Sequence, residues 1–421
     1  MSMHFSRALK IVAPAVCTLI LVVAPGRAQM ALPGAELQPR TNTNPGLLYW
    51  QAFGALPRSD EATRKGLDEF AERLASWSSG STAVEPVELP VEATSLVTRY
   101  GRSLRLLQKA RLSTVPCDWG ADPADGPDML VPDTRGLREL TKASLLKAAV
   151  QLESSGADES VDTLLACLTL ARQFARDGTL VSVMLQQSVE DQIVDYIGSQ
   201  LGRYPISAVA RLRDGLSHIP PRVPVLAGVE SESNFQRWMK DQINRLVESN
   251  QGDHQMAYGA SRKILIDLFG GNEGRVAATL DTASGGTTDG LYRLLEDLGS
   301  YYEEARILAL AGPNTVGQAW AAFEKRLEAS SNPIALAMIP NIGRARKKEL
   351  VHLSRWAMME GSLAQFIDGD AALLTVRDPL SDKAFSVKSL DNGVVELRSQ
   401  SNLGTEMNPV LRVLRAPPPS R

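Results

Sequence analysis

The chain has 421 residues, with 45 Lys and Arg against 48 Asp and Glu, 44% hydrophobic residues and 5% aromatics. This near-neutral, slightly acidic balance argues against a nucleic-acid partner, which requires clustered Lys and Arg. The length exceeds what one core usually organises, and the hydrophobic share is large enough to fill two or more packed regions.

The first 28 residues read as an export signal. Arg7 and Lys10 precede an apolar run over 11–24, and Pro25-Gly26-Arg27-Ala28 breaks it with small residues ahead of an expected cut at Gln29. A run of this length falls short of the roughly 20 residues of a spanning helix, which favours cleavage over anchoring. Val16 stands before Cys17 where a lipoprotein signal wants a small residue. Cleavage removes Arg7, Lys10 and Arg27 and no acid, leaving 42 basic against 48 acidic residues, a net charge of −6. The expected location is the periplasm or the extracellular space. The longest later apolar run, 334–342, is interrupted by Pro340 and followed by Arg344, Arg346, Lys347 and Lys348, so no transmembrane helix is expected after cleavage.

Residues 29–44 are polar and aperiodic and read as a flexible leader. Helical signals follow. Pro45 opens a short helix with Leu47, Leu48, Trp50, Phe53 and Leu56, ending at Pro57. Ser59 caps a second, with Asp60 and Glu61 in its first turn and a stripe of Leu67, Phe70, Leu74 and Trp77. After a Ser, Gly and Pro-rich linker over 78–90, a helix is predicted over 91–112, then a long Asp-rich loop. Helices over 133–156, 158–178 and 180–201 come next, the last carrying Leu185, Val189, Ile193, Ile197 and Leu201 at four-residue steps. Short Gly turns between them predict a mainly α fold, an antiparallel bundle or stacked helical hairpins.

Pro220, Pro221 and Pro224 mark a boundary between a first helical region, 45–219, and a second, 220–370. The second carries predicted helices near 227–250, 256–269, 288–311, 315–330 and 340–366, with SGGTTDG at 284–290 as an interruption. Beyond about Ala371 the period changes to two. Phe385 and Val387 alternate with Ser386 and Lys388, Asp391-Asn392-Gly393 offers a turn, and Val394, Val395 and Leu397 resume a strand. Residues 410–415 add a third. A small C-terminal antiparallel sheet, 371–421, is therefore expected to dock on the long helix over 340–366.

The NPGLLYWQAF segment, the CDW loop and the helical pairs together resemble a group of uncharacterised bacterial exported helical proteins, which implies export and a helical body but no activity. The long helix followed by DPLSDKAFSV and a Gly-turn hairpin resembles the C-terminal end of type II secretion pseudopilins over about 50 residues. It departs from them where Asp382 replaces the usual Gly and Val387 an aromatic, and the assembling N-terminal pilin helix is missing from its expected place. Pilus-subunit function is therefore not implied.

Chemistry-bearing motifs are sparse. Cys117 and Cys167 remain after processing, and an oxidising compartment makes their disulfide a candidate; Cys167 also fits an apolar stripe with Leu164, Leu168 and Ala171 as a buried thiol. Glu232-Ser233-Asn234-Phe235 mimics the start of a lytic transglycosylase motif whose Glu is a general acid, but QRWMKDQINRL follows where that family's further elements belong. Glu232 is therefore expected to be a solvated first-turn residue. Asp118, Asp122, Asp125, Asp128 and Asp133 lack the alternation of an EF-hand and read as turn formers. His218, His254 and His352 stand apart, without zinc or catalytic-triad spacing. Arg344, Arg346, Lys347 and Lys348 read as a solvated face. No cofactor, metal or catalytic set is indicated. The expected role is that of an exported, non-catalytic protein that binds an unidentified protein or envelope partner or acts as a scaffold. The alternative is a glycan-directed envelope hydrolase whose carboxylates are assembled by the fold.

Overall fold

Residues 42–57, 61–78, 87–122, 125–126, 129, 132–269, 273–401 and 408–415 are described by a computed structural model of the chain; the expected export signal and the leader as far as residue 41 lie outside them. Side-chain caps set the first elements. Asn44 accepts from the Gly46 amide at 2.9 Å and Pro45 occupies the first turn, so α1 runs Pro45–Gly54. In α2 (Glu61–Ser78) the predicted stripe of Leu67, Phe70, Leu74 and Trp77 is buried throughout. The helix predicted over 91–112 is two, α3 (Ala93–Arg99) and α4 (Gly101–Arg111), broken at Tyr100. That ring is fully buried, and its hydroxyl reaches Glu139 at 2.6 Å.

Asp133 caps α5 (Thr134–Glu153) by accepting from the Gly136 amide at 2.9 Å. Turns at Ser155-Gly156 and Gly178 lead into α6 (Ala157–Phe174) and α7 (Leu180–Gln200), and α8 (Ile206–Ser217) ends the first run. The three prolines then lead to α9 (Val225–Ser249), α10 (His254–Phe269), α11 (Glu273–Ser284), α12 (Thr288–Leu310), α13 (Pro313–Glu328), α14 (Pro333–Met338), α15 (Pro340–Asp368) and α16 (Asp370–Leu373). Three of these, α11, α14 and α16, are not anticipated by the sequence patterns. Asn332 fixes α14: its side-chain oxygen caps the Ile334 and Ala335 amides while its nitrogen donates to the Leu294 carbonyl at 2.7 Å.

The tail forms a three-stranded antiparallel sheet in the order β1 (Ser386–Ser389), β2 (Val394–Arg398), β3 (Val410–Leu414). Val387 lies opposite Leu397 and Val395 opposite Val413. Asn392 and Gly393 take positive φ in the intervening turn, as its Asn-Gly composition permits. Asp382, at the place where the pseudopilin-like pattern has Gly, also takes positive φ, 56°.

Hydrophobic side chains divide into two clusters. The first draws on α1 to α8, the later part of α15 and the sheet; the second draws on α9 to α14 and on the opening turns of α7 and α15. Both long helices cross between them: α7 gives Leu180 and Val183 to the second cluster and Leu185 onward to the first, and α15 gives Ile342 and Leu350 to the second and Trp356 to Leu363 to the first. The sheet is part of the first core, since Phe385, Val394, Leu397 and Leu411 are buried in it. Its hold on the helices is also polar. The buried Asp378 carboxylate accepts from Ser354 of α15 at 2.7 Å, from Ser399 beyond β2 at 2.5 Å and from Ser381 at 2.9 Å.

Candidate functional site

Near where α7 and α15 cross from one core to the other, they bury a cluster of charged side chains beside apolar ones such as Val189 and Ile193. Glu190 is fully buried. One oxygen accepts from Arg172 Nε of α6 at 2.8 Å; the other accepts from Arg222 Nε at 2.8 Å and meets His352 Nε2 at 2.6 Å. His352 Nδ1 meets Asp191 at 2.8 Å, and Arg355 reaches both Asp191, at 3.2 Å, and Asp195. The Arg172 and Arg222 guanidiniums lie over the Trp356 ring, 5.0 and 4.8 Å from its centroid. Because residue 190 pairs with 352 and residue 195 with 355, the two helices run in the same direction here.

The same cluster holds the proline segment. Arg172 donates to the Pro220 carbonyl at 2.8 Å, Gln186 exchanges two hydrogen bonds with the Val223 backbone at 3.1 and 3.2 Å, and Glu349 accepts from the Val225 amide at 2.8 Å. Burial opposes the charge on Glu190, but His352, Arg222 and Arg172 outweigh it and bring that carboxyl down to about 2. Asp191 is lowered in the same way against its burial, chiefly by His352 and Arg355. His352, although buried, is raised above 6.5 by its two carboxylate partners. Asp195 is pushed up to about 6, first by burial against the pull of Arg355 and further by the like charge of Asp191. Glu190 and His352 are fully enclosed at the centre of these ion pairs, so the cluster clamps two helices and a strap together.

An open site lies on the other side of the α6–α7 turn. A cleft of about 380 Å³ is lined by Gly126 and Met129 of the Asp-rich loop, Thr179, Ser231, Glu232, Asn234, Phe235 and Trp238 of α9, Leu268 of α10 and Met338 of α14. This is within the range of small-molecule sites. Phe235 and Trp238 are one turn apart on α9, with ring centroids at 5.8 Å. The loop backbone closes on the indole at Gly126, where φ is +59° and an added Cβ would stand 2.2 Å from the ring.

Glu232 is not the solvated first-turn residue expected from sequence: α9 begins at Val225, so Glu232 lies two turns in, half-buried in this cleft. Burial pushes its carboxyl up to about 7, although the Leu180 amide at the start of α7 hydrogen-bonds to it. Tyr302 of α12 is near enough to sense that charge; burial first and Glu232 second raise the phenol, whose oxygen finds no hydrogen-bond partner among the described residues. On the opposite side of α9 a second, polar groove of about 380 Å³ is lined by Glu230, Arg237, Lys240, Glu303 and Arg306 among others.

The remaining sequence candidates have local roles. Cys117 and Cys167 are both free thiols, the former half-buried and the latter fully buried beside Thr141 and Ser144; burial pushes them up to about 12 and about 11. Asp118 accepts from the Gly120 amide at 2.8 Å and Asp133 caps α5, while Asp128 lies outside the described residues. Of the basic run, Arg346 pairs with Glu349 and donates to the Ala311 carbonyl at 3.1 Å. The NPGLLYWQAF segment and the CDW loop pack on each other: Asn44 and Asp118 exchange two hydrogen bonds at 2.8 and 3.0 Å, and Trp119 stacks on Tyr49 at 5.4 Å. Among the described residues, no group of three or more His, Cys, Asp or Glu is placed to hold a metal ion, and no helix is long and apolar enough to cross a membrane. No protein-family model, curated protein or solved structure matches the chain.

Proposed function

We propose that the protein is exported and acts by binding, without catalysis, through the cleft between the α6–α7 turn and α9. One observation carries the reading: an open, mainly apolar cleft of about 380 Å³ holds a half-buried carboxyl, whereas Glu190 and His352 at the centre of the charge cluster are fully buried in ion pairs. Apolar walls with a few placed polar groups are the usual make-up of a small-molecule site. The charged, apolar and small-residue order of 1–28 supports export. Native mass spectrometry of the protein isolated from its cell envelope tests the reading. A retained small-molecule mass that disappears in Trp238→Ala is expected; no retained mass in either form overturns it.

A second reading, a glycan-directed envelope hydrolase, is favoured by one feature, the neutral-range carboxyl of Glu232, which has the protonation behaviour of a general acid. A two-carboxylate glycosidase needs a partner acid across the bond. Among the described lining residues of the cleft, Glu232 is the one carboxyl. Turnover of cell-wall glycan that Glu232→Gln abolishes would replace the binding reading with this one.

A further inference from the structure

The cleft has mainly apolar walls, with Thr179, Ser231 and Asn234 as neutral polar groups, and a charge of one sign. Phe235, Trp238, Met129, Leu268 and Met338 present aromatic faces, thioethers and an isobutyl group, and Glu232 is the one ionisable side chain among the described lining residues. Among the described residues no cation is paired with it: its partner is the Leu180 amide. A carboxylate in such a place lacks the counter-charge that every carboxylate of the Glu190 cluster has.

We propose that the occupant of this cleft is an organic ammonium ion with an apolar or aromatic body, its charged head against Glu232 and its body between Phe235, Trp238 and the two methionines. The inference rests on the binding reading above and adds the ligand's charge to it. Each wall contributes for a physical reason. The negative faces of the Phe235 and Trp238 rings attract a cation and hold it more strongly where water is excluded. The methionines adapt to an irregular body. An anion would meet Glu232 with like charge, and a neutral body would cover the carboxylate without pairing it. A hard metal ion is held by several oxygens that usually include more than one carboxylate, and Glu232 is the one carboxylate among the described lining residues.

The groups facing Glu232 set its pH response. From α7 there is the Leu180 amide, from α12 the Tyr302 phenol, and α10 and α14 give the apolar Leu268 and Met338. With the free carboxyl near 7, affinity for a cation falls about tenfold between pH 8 and pH 6, because the ionised fraction falls by about that factor.

The test uses three soluble probes of similar size at pH 8, benzylammonium, benzyl alcohol and benzoate, followed by the indole N–H resonance of Trp238 in the full mature chain, assigned with Trp238→Phe. Benzylammonium is expected to bind at least tenfold more tightly than benzyl alcohol, benzoate least, and the preference for the cation is expected to shrink about tenfold at pH 6. Glu232→Gln is expected to erase the preference for benzylammonium over benzyl alcohol. Equal affinity of the wild-type protein for benzylammonium and benzyl alcohol overturns the charge assignment while leaving a binding cleft in place. Absence of any shift with all three probes overturns both the assignment and the binding reading. The wild-type comparison decides the matter even if the variant does not fold.

Discussion

A carboxyl held near neutrality by burial costs stability whenever it ionises, and Glu232 is such a group. Its folded value, about 7, lies above its ordinary 4.5, so the stability tied to protonation is present below about pH 4.5 and is lost as pH rises through about 7. The full shift corresponds to roughly 3 kcal/mol, which access to solvent through the cleft reduces to about 1–2 kcal/mol. Glu232→Gln is therefore expected to be more stable than wild type at pH 8 and nearly equal to it at pH 4, as read from urea midpoints. The opposite sign holds at Glu190. There the carboxylate is surrounded by matched cations, and Glu190→Gln leaves Arg172, Arg222 and His352 short of a partner, at an expected cost of about 3–5 kcal/mol. His352 has a raised folded value, so its contribution is present below pH 6.5 and is lost as pH rises through that higher value. Glu190 and Asp191 have lowered values, so theirs is present above the ordinary carboxylate range and is lost as pH falls, for Glu190 through about 2. His352→Gln is expected to be penalised more at pH 6 than at pH 9 in thermal melts; an equal penalty at both would remove the imidazolium from the account. The sequence does not disclose this cluster, because Arg172, Glu190, Arg222 and His352 lie far apart in the chain. The nearest hint is polar: Gln186, Gln187, Glu190, Asp191 and Asp195 crowd a helix that otherwise carries an unbroken apolar stripe.

Elements with strong local signals were legible and elements dependent on partners were not. Pro45 and Asp133 mark the starts of α1 and α5, and α7 begins at Leu180 as read; Asn44, read as part of the leader, and Thr179 supply the side-chain caps of α1 and α7. The six residues of α14 have no helix-length period, and their cap, Asn332, is anchored to Leu294 and Asp297 of α12, which no local pattern encodes. The change to period two located the sheet but not its seat. Besides α15, the sheet lies on α7, where β3 comes so close that a Cβ at residue 198 would stand 2.4 Å from the Arg412 carbonyl oxygen. Gly198 thus permits the close approach of the strand to α7. Gly198→Ala is expected to cost about 1–3 kcal/mol by overpacking, since the clash is with backbone that cannot rotate away. Hydrogen exchange in residues 408–415 is expected to rise with it. Unchanged protection there would show that the sheet is held by α15 and the Asp378 contacts alone.

At the scale of the whole molecule, two apolar cores meet along two helices that belong to both, and the meeting place is charged. Apolar packing alone does not couple the cores there, because α7 and α15 exchange their hydrophobic faces between Val183 and Leu185 and between Leu350 and Trp356. The coupling passes through Glu190, Asp191, Asp195, His352 and Arg355, which fix α7 to α15, and through Arg172 and Arg222, which fix α6 and the proline strap to the same carboxylate. With the cluster intact, both cores and the C-terminal sheet are expected to unfold in one transition in urea, followed by hydrogen exchange in peptides around Trp119 for the first core and Trp320 for the second. Removal of a buried partner leaves an unmatched charge at the seam while both apolar cores stay filled, so Glu190→Gln is expected to split the transition, the peptides around Trp320 losing protection at lower urea than those around Trp119. The order follows from core size: the first cluster holds the larger set of buried side chains and keeps the sheet. A single transition retained in the variant would place the coupling in the helix backbones themselves, and two transitions in the wild-type protein would show that the charged seam divides the cores.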